Sequence, residues 1–331
     1  MFRKNPPILT KFDREGRIIS AELNPVKDFE VEYDLVAVNG PIVIPGAATG
    51  QLVFNTLEND PVLEVYAIMS TEFAPAPSAA VPTNYLVDID AHYLNMHLMN
   101  TPLHHDLVCG GLAFDVAGNL IGQFPGYFGS SMWIPPGAGL VVNITNLDPI
   151  AANTISVNMV LKARGYIAQK SAGSVIERLE KKIRTKASVP FWLSPGAPVV
   201  IAAALGAAPA VDFWCTVGSS FVAKAFVAQT FPVNRAFTVR FRGGSNSTNQ
   251  WWSNAVVPSA LCQGTARAPC YLWAEPLIPE DGHVYADFVD ASGALNTTIY
   301  PALVGYKLFD KGAPWADFAD RLMSVVEASR G

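Results

Sequence analysis

The chain has 331 residues, half of them hydrophobic and only 15% charged, which excludes a disordered polymer and leaves room for two domains of ordinary size. A net charge of -5 and a pI near 5.5 argue against nucleic acid as the main partner, because neutralising phosphates requires a basic face. Twenty-five Pro and twenty-five Gly punctuate short Val, Ile, Phe, Thr and Tyr runs, so strands rather than helices are expected to dominate.

Residues 1–28 set Arg3, Lys4, Lys11, Arg14 and Arg17 among prolines and few large apolar side chains, which predicts an N-terminal arm, either a locally ordered tail or a segment reaching an adjacent subunit or an acidic surface. Met1-Phe2-Arg3-Lys4 runs into Asn5-Pro6-Pro7 without an apolar core, so export through a signal peptide is not expected. Residues 29–167 predict a first β-sandwich. Within it Tyr85 to Asp90 alternates apolar and polar residues, as a strand with one buried face does. Asn100, Leu107-Val108-Cys109-Gly110, a Pro/Gly turn at Trp133 to Gly137, a strand from Leu140 to Thr145, Asn153-Thr154 and Gly165-Tyr166 follow.

Residues 168–190 predict a helical linker. Ser174-Val175-Ile176-Glu177 has capping-box form, and Ile176, Leu179 and Ile183 then fall on one face. Residues 191–310 predict a second sandwich that repeats the landmarks of the first. Phe237 to Arg242 alternates like Tyr85 to Asp90, and Asn254 and Ala260-Leu261-Cys262-Gln263-Gly264 follow at nearly the same distance. Then come a Pro/Gly turn at Leu277 to Gly282, a strand from Val284 to Val289, Asn296-Thr297 and Gly305-Tyr306. The low-charge run Gly196 to Val211 is too short and too broken by Pro and Gly for a membrane span, so no transmembrane segment is expected. Residues 311–331 predict a C-terminal helix opened by Pro314, with Trp315, Phe318 and Leu322 on one face. The expected fold is all-β: two tandem antiparallel β-sandwich, jelly-roll-like domains from an internal duplication, each followed by a short amphipathic helix.

Candidates for chemistry are few. His92, His97, His104, His105 and Asp106 lie in one stretch with donors suited to a transition metal. They lack a HExxH motif, and the second half has no histidines at the corresponding place, so structural or surface roles are preferred and no metal is expected. No Gly-x-Ser-x-Gly elbow, Walker lysine or GxGxxG turn is present, so no cofactor and no catalytic residue is assigned. Cys109, Cys215, Cys262 and Cys270 read as buried thiols, with a Cys262–Cys270 bridge left open. Adjacent Trp251 and Trp252, in a polar stretch, suit one indole in the core with its neighbour over a strand edge, or else a stacked sugar ring or a protein contact. Trp315, Phe318 and Leu322 suit a helix packed on its own sandwich or on the inter-domain seam, with docking on a neighbouring subunit as the functional alternative.

The run Trp252-Ser253-Asn254, Leu261, Gly264-Thr265, Pro269, Pro276-Leu277-Ile278-Pro279, Asp287, Asn296-Thr297 and Gly305-Tyr306-Lys307 resembles a β-sandwich module of tailed-bacteriophage virion proteins, with an echo over Tyr85 to Tyr166. That resemblance implies a non-enzymatic capsid-associated, neck or tail component, located in the virion. Its partners would be further copies of itself and other virion proteins. Two tandem sandwiches also look like the double jelly-roll major capsid proteins of lipid-containing phages, which usually carry helices inside the jelly roll, whereas here both expected helices follow a last strand. A carbohydrate-binding module using Trp251, Trp252 or Tyr271, with a glycan partner, and a metal-dependent enzyme using the histidine stretch are the other two readings.

Overall fold

A computed structural model describes residues 8–12, 18–23, 26–35, 39–40, 42–57, 62–73, 85–114, 120–124, 126–168, 188–202, 206–231, 235–244, 250–251, 256–262, 264, 269–272, 274–293 and 296–309. The helices expected over 168–190 and 311–331 therefore fall almost wholly outside the described residues. In the stretch expected as an arm, β1 (Ile8–Phe12) and β2 (Ile18–Leu23) pair antiparallel with each other.

The first half forms two sheets. β3 (Val26–Asp34), β4 (Val43–Ile44), β6 (Val62–Phe73), β12 (Gly126–Ile134) and β14 (Ile155–Ala168) make one, ordered β12-β6-β14-β3 with β4 also on β14. β5 (Thr49–Asn55), β7 (Tyr85–Ala91), β8 (Met96–His97), β9 (Leu103–His104) and β13 (Gly139–Asn146) make the other, ordered β5-β13-β7-β8 with β9 also on β7. A hairpin of β10 (Gly111–Phe114) and β11 (Leu120–Phe124) precedes β12.

The second half repeats this order. β15 (Ser188–Leu193), β16 (Val199–Ile201), β18 (Ser220–Phe231), β22 (Cys270–Tyr271), β23 (Leu277–Ile278) and β25 (Thr297–Leu308) run β15-β25-β18-β22, with β16 on β25 and β23 on β18. β17 (Val211–Trp214), β19 (Phe237–Gly244), β20 (Gln250–Trp251), β21 (Val257–Pro258) and β24 (His283–Asp290) run β17-β24-β19-β20, with β21 on β19. Strands far apart in sequence alternate across two facing antiparallel sheets in both halves, and each half is a jelly roll.

Local sequence explains the strands. β7 and β24 alternate strictly between buried and half-buried positions, the period of a pleated strand with one face on a core. The strand before β13 and the one before β24 each end in a Pro-rich turn, closed by Ala138 N–H on Pro135 O at 3.2 Å and Gly282 N–H on Pro279 O at 2.9 Å. Gly137 supplies a positive φ of 71° in the first turn, and Asp281 takes a φ of 55° in the second.

Two four-residue helices, α1 (His105–Val108) and α2 (Ser259–Cys262), sit inside the jelly rolls, each directly after a strand paired to the same side of its sheet. The expectation placed helices only after the last strand. Among the described residues no helix is long and apolar enough to cross a membrane. One sequence match shifts. β6/β14 and β18/β25 each contain a bulge, and counting from it Gly305 corresponds to Ala163 rather than Gly165. The two Gly-Tyr pairs are alike in sequence but out of step in register.

The two jelly rolls share a core. Phe191, Leu193, Phe221, Phe226 and Leu303 point into the second jelly roll, whereas Trp192, Ala225, Val227, Ala302 and Val304 join the core of the first. The β15-β25-β18 sheet is thus buried on both faces, which is why its strands read as nearly continuous apolar runs rather than alternating ones.

Candidate functional site

The most developed feature is the seam between the jelly rolls. Trp192, 1% exposed, anchors it: its backbone N–H donates to Leu98 O at 3.0 Å, and its indole meets Phe128 edge-on at 5.3 Å between ring centroids. Leu107, Phe128, Trp192, Ala225, Val227 and Val304 line one small cavity there. At one end the Asn100 amide clasps the second jelly roll. Its Nδ2 donates to Ser194 O at 2.5 Å, and its Oδ1 accepts from Ser194 N at 2.8 Å and Ser194 Oγ at 3.0 Å. At the other end Gly129 lies so close to Gly305 that a Cβ on Gly129 would stand 2.6 Å from Gly305 Cα. Asn100→Ala strands the buried Ser194 N–H, so a loss of about 1–2 kcal/mol in chemical denaturation is expected, with Asn100→Asp retaining part of it.

The histidine stretch divides in two. His92 and His97 are surface residues, with Nδ1 at 3.8 Å from Asp90 Oδ2 and 3.3 Å from Asp88 Oδ2, respectively. His104, His105 and Asp106 converge at the seam, with one possible ligand atom from each within 4.8 Å of the others. Ligands about 2.0–2.1 Å from a zinc ion stand roughly 3.4 Å apart at a tetrahedral angle, so this group is looser than a formed centre. Its donors also serve each other. His105 Nε2 lies 3.1 Å from Asp106 Oδ1, and His104 Nδ1 accepts from Asp106 N at 3.3 Å as the cap of α1. His105 stacks on Tyr85 with centroids 4.3 Å apart, and His104 lies 5.8 Å from the Tyr300 ring of the second jelly roll. At the matching place Ser259 Oγ accepts from Phe237 N at 3.2 Å. The cluster links a helix, a strand and a neighbouring jelly roll.

Trp251 lies in β20, at the register position opposite Arg242 of β19. Trp252, Trp315, Phe318 and Leu322 lie outside the described residues. Tyr271, in β22, is 63% exposed. All four cysteines are free thiols, and burial, reinforced by Cys270, pushes the Cys262 thiol up to about 11. On the outer face of the β17-β24-β19 sheet, Trp214, His283 and Tyr285 form a row of near-parallel rings about 6 Å apart, with centroid distances of 6.0 and 5.9 Å.

Sequence reasoning missed two lysines. Lys224, the extra residue of the β18 bulge, pairs with Glu275 Oε1 at 2.5 Å beside the seam. Lys307 lies 4.1 Å over the Phe191 ring, and burial lowers its pKa. The recurrence of Asn100 and Asn254 was the available signal for the clasp.

No family model matches the chain, and no curated protein matches it. Solved structures do. A chain from a structure of the triple jelly-roll fold and turret assembly of an archaeal virus aligns at 11% identity with a TM-score of 0.23, over 82% of this chain and 60% of that one. A tandem CBM22 pair from Paenibacillus barcinonensis Xyn10C aligns at 8% and 0.17, over 83% and 92%. A protein of infectious bursal disease virus, Gx strain, aligns at 10% and 0.21, over 88% and 72%. This chain spans less than two thirds of the archaeal viral protein. Each of these TM-scores is below 0.5.

Proposed function

We propose that the chain is a non-enzymatic virion structural protein, a double jelly-roll subunit, arisen by internal duplication, that assembles with copies of itself into a capsid-type shell. The observation that carries this reading is the double-sided burial of the β15-β25-β18 sheet, with Trp192 and Val304 on one face and Phe191 and Leu303 on the other. Two jelly rolls joined over such a seam form one block that presents sheet edges and outer faces, the parts a shell is built from. The short helices inside each jelly roll remove the objection to a double jelly-roll capsid subunit. A neck or tail component of a tailed phage would use the same block, and the shell reading is preferred because both halves keep the full strand order.

The test is direct. Purified full-length chain, concentrated and imaged by negative-stain electron microscopy, is expected to form rings, sheets or shells of uniform subunit spacing. A chain that stays monomeric at hundreds of micromolar sinks the reading.

A further inference from the structure

The two jelly rolls can be compared residue by residue around α1 and α2. His104 pairs with Leu86 and Pro258 with Thr238, and Gly110 O accepts from Ser70 N as Gly264 O accepts from Ala228 N. The same offset holds at both ends of the segment, so Leu107 in α1 and Leu261 in α2 occupy the same place in their jelly rolls. Their surroundings are opposite. Leu107 is 0% exposed because the β15-β25-β18 sheet of the second jelly roll covers it. Leu261 is 75% exposed. The same edge of the second jelly roll also shows Val256 at 49% and Leu277 at 59%, while Tyr271 borders the seam with the first jelly roll. Exposed apolar residues grouped where the sister domain makes its main contact mark an interaction site rather than scattered surface.

The face that would receive them is also defined. Trp192 pairs with Val304 across β15 and β25, and at the corresponding register of β3 and β14 Glu32 pairs with Lys162. Lys162 Nζ reaches Glu32 Oε1 at 2.6 Å, and Val160, at the register position of Ala302, is half-buried beside them. Within the chain the covered face is apolar and the contact is permanent. On the first jelly roll the same face carries an ion pair and stays compatible with water until it is covered. Interfaces that form after folding are typically of this mixed kind, about as apolar as ordinary surface.

We propose that Leu261, with Val256 and Leu277 on the same edge, docks on the outer face of the β3-β14-β6 sheet of a second copy of this chain, repeating between chains the contact that joins the jelly rolls within one. The inference rests on the assembling role proposed above and names its surface and its partner. The contact is head-to-tail: each chain offers one α2 edge and one β3-β14-β6 face, so repetition closes a ring or extends a filament.

Sedimentation equilibrium of the full chain tests this with two single variants, Leu261→Glu on the edge and Val160→Glu on the face. The wild type is expected to associate, and each variant alone to associate at least tenfold more weakly with an unchanged melting temperature. An equimolar mixture is expected to form a dimer of one copy each, because one partner keeps its edge and the other its face. If Leu261→Glu lowers the melting temperature, Val256→Glu replaces it as the edge variant. A wild type that associates while the edge variant keeps the same mass overturns this surface and leaves the assembling role standing. So does a mixture that stays monomeric. A monomeric wild type overturns both.

Discussion

Trp192→Ala is expected to lower the stability of the folded chain by about 3–5 kcal/mol, the range for truncating a large buried aromatic side chain. The indole is 1% exposed and meets residues of both jelly rolls, Phe128 from the first and Val304 from its own sheet. Its removal therefore opens a void in a seam that cannot collapse without moving one jelly roll against the other. The thermal midpoint is expected to fall by roughly 10 °C in calorimetry, on the usual scaling for a domain of this size class. Trp192→Phe should recover more than half of the loss. A drop of less than about 1 kcal/mol for the alanine variant would mean that the seam is not closed around this side chain.

Gly129→Val comes next in size and acts by a different mechanism. A Cβ at this position would stand 2.6 Å from Gly305 Cα, and the obstacle is backbone, which cannot swing aside. The seam must open, at an expected cost of about 1–3 kcal/mol or more, while each jelly roll keeps its own strand register. Binding of a dye such as ANS is expected to rise and far-ultraviolet circular dichroism to stay the same. Gly305→Ala should be more damaging still, because its Cβ would stand 1.9 Å from Val222 O within its own sheet. Since Gly129 and Trp192 act on one seam, the double variant is expected to lose less than the sum of the single losses. Strict additivity would separate the two sites and count against a single shared seam.

Much of the fold was legible in the sequence, and particular residues show why. Tyr85 to Asp90 and Phe237 to Arg242 alternate because each strand has one face on its own core, and that period is written locally. The Pro/Gly turns before β13 and β24 were legible for the same reason. The runs in β18 and β25 were also visible, but a continuous apolar stretch does not reveal what covers its second face. The Gly-Tyr match failed as a register marker because a dipeptide carries no register of its own: the matching bulges of β6 and β18 set Gly305 level with Ala163, two residues short of Gly165.

The candidate site was less legible. The histidine stretch stood out by composition, yet its members separate into surface pairs with Asp88 and Asp90 and a buried cluster beside Tyr85 and Tyr300. Trp192 and Asn100 carry the seam, and in sequence each was one residue among many. Lys224 was hidden because its position follows from a bulge.

By itself, the sequence determined that this is an all-β chain with two similar halves, since strand period and turn chemistry are short-range properties. Only the tertiary structure decided that the second jelly roll buries both faces of one sheet while the first keeps an ion pair on the matching face. Leu107 and Leu261 put the distinction most simply: the same residue at the same place in each half, one covered and one exposed. Burial is a property of what lies across the contact, and that partner is distant in the chain or outside it.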